Sequence, residues 1–140
     1  MSSLRRRAAT VFAATTLAVA GGLTLAPAAS AASSCYASSC TGLDPASTTC
    51  QYDAYTARYG TVAGRGIELR YSPSCRAVWA RSVAGIFGDK LDVQNSNGTY
   101  RWTMVQTQNS WTTMVNDANV TAHACLWVQN GSEYNCTIDY

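Results

Sequence analysis

Residues 67–82 read IELRYSPSCRAVWARS, and their spacing sets the fold class. Ile67, Leu69 and Tyr71 alternate with Glu68 and Arg70. One side is apolar and the other charged, which is the period of a strand and not of a helix. Ser72-Pro73-Ser74 breaks the alternation, as turn residues do. Cys75, Ala77 and Trp79 then share one side, with Val78 and Ala80 on the other. The stretch predicts two short strands around a turn. It also sets Arg70, Arg76 and Arg81 around Trp79 in a chain of which only 13% is charged. A guanidinium stacked on an indole can brace a small sheet or form an anion or sugar site.

Two Asn-Gly pairs mark hairpins. A two-residue loop centred on Asn97-Gly98 sets Val93 opposite Trp102 and Leu91 opposite Met104, with Gln94 facing Arg101 and Asp92 facing Thr103. One face is then apolar and the other polar, a pattern that a one-residue slip would destroy. The same arithmetic at Asn130-Gly131 places Cys125 opposite Cys136 and Trp127 opposite Tyr134. It predicts a cross-strand disulfide at a hydrogen-bonded pair, with the wider Cα spacing. A third hairpin is expected at Asn116 to Asn119, with Val115 facing Val120. Asp53 to Tyr59 has room for one or two helical turns. Trp102, Trp111, Trp127 and the tyrosines are expected to supply most of the core. The whole reads as all-β: a small disulfide-stapled antiparallel sandwich or closed barrel with short hairpins.

The chain of 140 residues opens with Arg5, Arg6 and Arg7, an apolar run from Ala8 to Leu25, and Ala29-Ser30-Ala31. This is the pattern of a cleaved secretory signal over residues 1–31. Without it, seven basic residues face eight acidic ones. The remaining charge of about −1 calls for neither nucleic acid nor an anionic membrane. All six cysteines follow the cleavage site: Cys35, Cys40, Cys50, Cys75, Cys125 and Cys136. In a small secreted domain an even count reads as three disulfides. Cys35 with Cys40 would close a short loop and Cys50 would reach Cys75, but fifteen pairings stay open. A metal site is not expected, since there is no C-x-x-C pair and only one histidine. Residues 32–50 form a Cys-rich loop or arm, and residues 51–140 the β domain.

Catalytic patterns are missing from the sequence. His123 is the single histidine. It shares its strand side with Thr121, Cys125 and Trp127, while Val120, Ala122, Ala124, Leu126 and Val128 make the apolar side. No G-x-S-x-G elbow accompanies it. Asp89, Asp92, Asn95 and Asn97 miss the calcium-loop spacing, because Val93 stands where an acid is needed. Four N-x-[ST] matches, at Asn97, Asn119, Asn130 and Asn135, read as turn chemistry. Glu68, Glu133 and the six aspartates single out no carboxylate pair. The expectation is a protein that works by contact, without enzyme activity, metal or cofactor. The candidate binding residues are Arg70, Arg76, Trp79 and Arg81, with Tyr36 and Asp44 upstream.

The segment LRYSPSCRAVWARS (69–82) resembles the central motif of the YjfA-like family of secreted actinobacterial proteins. Cys35-x4-Cys40-x-Gly42-x-Asp44-Pro45…Cys50 and Thr61-Val62 fit the same pattern. The resemblance spans roughly residues 35–95. It implies a small disulfide-bonded β fold with no established catalytic residues. Some members resemble the adaptor subunit of umbrella toxin particles of Streptomyces, which joins a trypsin-like lectin subunit to the helical-repeat rings of a large toxin stalk. By that resemblance the partners would be a large repeat-containing polypeptide and a lectin-like protein, and the segment from Ser33 to Thr49 would be an arm that orders on binding. The other expectation is a stand-alone secreted protein that binds an envelope carbohydrate or inhibits an enzyme.

Overall fold

A computed structural model describes residues 34–140; the expected signal segment, residues 1–31, lies outside them. The described residues form eight strands: β1 (Tyr55–Val62), β2 (Arg65–Ser72), β3 (Ala77–Val83), β4 (Lys90–Asn95), β5 (Tyr100–Met104), β6 (Val115–Asn116), β7 (Ala122–Trp127) and β8 (Tyr134–Cys136). They make two antiparallel sheets, β1-β2-β3-β6 and β5-β4-β7-β8. Neither sheet closes on itself, so the sandwich, and not the barrel, is the architecture. No helix among the described residues is long and apolar enough to cross a membrane.

The β2–β3 hairpin follows the alternation in its sequence. Ser72 pairs with Ala77, and the register runs on to Gly66 and Val83. Ile67, Leu69, Val78 and Ala80 face the second sheet and are fully buried. Leu91, Val93, Ala124 and Leu126 meet them from β4 and β7. Each large aliphatic side chain removed from water here contributes about 1.5–3 kcal/mol. This aliphatic layer corrects the expected aromatic core. Trp102 is 56% exposed and Trp111 43%, and Tyr36, Tyr52, Tyr55, Tyr59, Tyr100 and Tyr134 are exposed as well. The interval between the sheets is filled mainly by Val, Leu, Ile and Ala, with Tyr71 and Tyr140 packed against them as partly buried rings, and the exposed rings lie outside it.

Three local expectations are also corrected. Asp53 to Tyr59 is not helical: from Tyr55 the chain is strand β1, which pairs along β2 with an irregularity between Thr56 and Arg58. Tyr, Thr and Val favour a pleated surface, and β2 offers one. The β4–β5 register is one residue away from that expected. Val93 pairs with Arg101, Asp92 with Trp102, Leu91 with Thr103 and Lys90 with Met104. The cause is the loop. Asn95 N donates to Thr99 O at 3.0 Å, Thr99 N donates to the Asn95 side chain at 2.9 Å, and Gly98 takes φ +81. Three residues, not two, therefore lie in the turn, with glycine at its left-handed position. Finally, Val115 does not face Val120. β6 joins β3 in the first sheet and β7 joins β4 in the second, so residues 117–121 cross between sheets, with Asn119 left-handed at φ +60.

The β7–β8 pairing is as expected: Cys125 opposes Cys136 and Trp127 opposes Tyr134, and the disulfide is formed. Its Cα separation is 4.0 Å, the narrow spacing of a non-hydrogen-bonded pair. Val128 N donates to Glu133 O and Thr137 N to Ala124 O. Hydrogen-bonded pairs thus fall on the even positions of β7, and Cys125 lies between them.

The described part of the Cys-rich segment lies against the outer face of the first sheet. Ala37 N donates to Cys75 O at 2.7 Å, Gly42 N to Met114 O at 2.9 Å, and Met114 N returns to Leu43 O at 3.0 Å. Beneath it Cys40, Cys50, Cys75, Ala77, Trp79 and Met114 form a second buried cluster. Disulfides join Cys35 to Cys40 and Cys50 to Cys75. All four sulfurs lie within 4.8 Å of one another.

Candidate functional site

The opening arginine stretch divides in the structure. Arg70, Trp79 and Arg81 line a cleft of about 200 Å³ whose other walls include Pro45, Gln51 and Trp111. Strand alternation sends Arg70 and Trp79, cross-strand neighbours of each other, to the outer face. Trp111 arrives from a segment that runs beside β3: Ser82 N donates to Ser110 O, Thr112 N donates to Ala80 O, and Arg81 bridges to Trp111. Asp44 sits just behind. Its carboxylate accepts from Trp111 Nε1 at 3.0 Å and from Ala46 N at 2.9 Å, so it caps a 3-10 turn (Pro45–Ser47) and fixes the indole edge. Trp79, 5% exposed, is the floor of the cleft and belongs to the second buried cluster.

The guanidinium groups are held by oxygens. Arg70 donates to Thr56 Oγ1 and to Ala54 O, both at 2.8 Å. Arg81 Nε donates to Glu68 at 2.5 Å. Among the described residues the cation–π contacts are those of Arg58 on Tyr140 and Lys90 on three rings; none involves Trp79. Burial, and then the neighbouring Arg81 charge, push the Arg70 pKa below its ordinary value. Arg70 and Arg81 face Glu68, with the Asp44 carboxylate just behind, so the cleft sets two guanidinium groups, close to charge balance, beside an exposed indole. Chemically it suits a carboxylate or another anion flanked by an apolar group.

Arg76 and Tyr36 stand apart from this cleft. Arg76 has φ +48 in the β2–β3 turn and reaches Asn119 at 3.4 Å. Tyr36 is exposed at the start of a 3-10 turn (Ala37–Cys40), held by Ser39. The acids weighed as calcium ligands also have structural duties. Asp89 is fully buried and accepts from Arg65 Nε at 2.6 Å and from the backbone N–H groups of Ile86 and Gln129. His123 pairs with Asp139 at 3.0 Å. The four converging sulfurs are spent in disulfides, so they are not metal ligands in this state.

Sequence reasoning missed a second surface, on the outer face of β5-β4-β7-β8. The corrected β4–β5 register turns Tyr100, Trp102 and Met104 outward, onto the face that carries Lys90, Asp92 and Trp127. Trp127 and Tyr134 stack at 4.1 Å, 12° from parallel. Lys90 Nζ lies 5.4, 6.0 and 5.5 Å from the ring centres of Tyr100, Trp102 and Trp127. Asp92, 3% exposed, accepts from Trp127 Nε1 at 2.7 Å and from Tyr100 Oη at 3.2 Å. Burial raises its pKa, against the pull of these donors and of Lys90. The available signal was alternation itself: four aromatic positions of β5, β7 and β8 share one parity once the loop is read with three residues.

A family model described as a protein of unknown function (DUF2690) matches residues 38–125. That span takes in most of the cysteine-rich segment, the cleft and, on the aromatic face, Lys90, Asp92, Tyr100 and Trp102, while Trp127 and Tyr134 lie beyond it. Comparison with curated proteins and with solved structures finds no match.

Proposed function

We propose, for a chain that belongs to the DUF2690 family of proteins of unknown function, that it is a secreted, non-catalytic binding module with two working faces. The observation that carries this reading is the placement of its large rings. Trp111 lies exposed beside Arg70 and Arg81 on one outer side of the sandwich, and Trp102, Tyr100 and Tyr134 on the other. Exposed tryptophan and tyrosine are typical of contact sites, and arginine is the commonest charged companion there. Two such surfaces suit an adaptor, which must hold two partners at once. The resemblance to the YjfA-like family gives the partners their class: a large repeat-containing polypeptide and a lectin-like protein in a secreted toxin particle. An interface of about 800 Å² per partner fits one face each. Three disulfides accord with an oxidising destination.

The test is recovery of tagged protein from the culture supernatant of its native host. Trp111→Ala and Trp102→Ala should each remove a different co-purifying protein and leave the other. Recovery of wild-type protein as a lone monomer would sink the adaptor role. The aromatic face also supports a second reading, a stand-alone protein that binds an envelope carbohydrate.

A further inference from the structure

We infer that the outer face of β4, β5, β7 and β8 is a saccharide-binding platform, with Trp102 and Tyr134 as stacking surfaces and Lys90 as the donor to sugar hydroxyls. The inference rests on the reading of the protein as a contact module and names the ligand class of one face.

Three features point to a sugar. The first is ring exposure combined with rigidity. Trp102 and Tyr134 are more than half exposed, and the rings beside Trp102 are held in place. Tyr134 is stacked on Trp127, and the Trp127 and Tyr100 edges are both fixed by the buried Asp92 carboxylate. Holding large rings in water in fixed positions costs stability, and a preformed site recovers it on binding. The second feature is composition. The outward hydrophobic side chains are rings, with Met104 the one exception near them, and a lysine sits among them. A few polar groups set among aromatic walls are what small-ligand sites use. The third is charge. Lys90 and Asp92 cancel, and their separation of 3.9 Å is too long for a hydrogen bond. The Tyr100 side chain engages the ammonium, which has three hydrogens and so keeps others to donate. A neutral, hydroxyl-rich ligand matches this face; an ion does not.

Ring faces carry negative potential and attract C–H edges. A pyranose with every hydroxyl equatorial presents axial C–H bonds on both of its sides, and an axial hydroxyl spoils one of them. The platform should therefore prefer β-1,4-linked glucose or N-acetylglucosamine chains over mannose chains. No bond is made or broken in this binding.

The experiment is titration calorimetry, with tryptophan fluorescence, of the mature oxidised protein against cellohexaose, chitohexaose and β-1,4-mannohexaose. At least one of the first two should bind more tightly than the mannose chain. Trp102→Ala should weaken binding about ten-fold or more, the loss usual for an aromatic anchor, with an unchanged melting temperature. Trp102→Phe should restore most of it, and Trp111→Ala on the other face should leave it intact. Absence of binding by folded wild-type protein overturns the inference, as does equal loss in Trp102→Ala and Trp111→Ala, or equal affinity for all three chains. If Trp102→Ala instead loses a co-purifying protein while no glycan binds, the contact-module reading stands and the saccharide inference fails. Glycan binding that depends on Trp102, with no protein partner recovered, keeps the saccharide inference and removes the adaptor role.

Discussion

Replacing Asp117 by asparagine should stabilise the protein above about pH 6 and change little near pH 4. Asp117 follows β6 and is buried, and its Oδ1 finds no hydrogen-bond partner among the described residues. Burial lifts its pKa from 3.8 to about 6, against the attraction of Arg76. Between these values the folded protein keeps a proton that the unfolded chain has released. Unfolding therefore becomes easier as pH rises through that window, and the full penalty is present above it. Each pH unit of separation is worth about 1.4 kcal/mol, which gives a ceiling of about 3 kcal/mol. Partial contact of the carboxylate with water reduces this to about 1–2 kcal/mol. For a domain of this size that is a melting-temperature gain of roughly 5–10 °C. Thermal melts of both proteins by circular dichroism, from about pH 4 to pH 8, should show the difference opening between the two pKa values. A difference that is constant with pH would refute the argument and assign the effect to packing.

Removing the Cys125–Cys136 bond with a double serine substitution should cost about 3 kcal/mol, the entropy of freeing a loop of sequence separation 11; urea denaturation reads it. Trp79→Ala should cost about 3–5 kcal/mol, because Trp79 floors the cleft from within the second buried cluster, whereas exposed Trp111→Ala should leave the midpoint within about 0.5 kcal/mol. Asp89→Ala should be among the most damaging polar changes, at about 3–5 kcal/mol. It strands the Arg65 guanidinium and two backbone N–H groups at once, and a melt of the purified variant would show it.

The sequence was informative where alternation and burial agree. In β2 and β3 the aliphatic parity is the buried parity, so the two strands and their faces followed from the residues. In β7 and β8 the Asn130-Gly131 turn set one register, and that register brought two cysteines opposite each other. In β4 and β5 the same reasoning chose the wrong pairing for a physical reason. Trp102 and Met104 are apolar, so aligning them with Val93 and Leu91 made a clean core face. The chain instead spends a third residue in the loop, braced by the Asn95 side chain, and turns those rings to the surface. Hydropathy counts an indole as core material, although Trp is often left partly exposed. The error in register and the failure to see the aromatic platform are thus one error. The cleft was half legible. Arg70, Trp79 and Arg81 lie close in sequence, but Trp111 and Pro45 join them only through chain crossings that no local pattern announces.

The sulfur nest beneath the first sheet has a consequence for how the chain tolerates change. Cys35 and Cys50 belong to different bridges, yet their sulfurs are 3.5 Å apart. A thiolate in that nest can reach a neighbouring bridge without moving the backbone, and exchange requires only such access. Losing one member of a pair is therefore worse than losing both. A lone Cys40, after Cys35→Ser, would compete with Cys50 and Cys75 for a partner, and the product would be a mixture of covalent isomers. Deleting Cys35 and Cys40 together leaves a single unchallenged bridge and a homogeneous protein. The four residues are thus two heritable units, and a single substitution among them is a defect of chemical identity before it is a loss of stability.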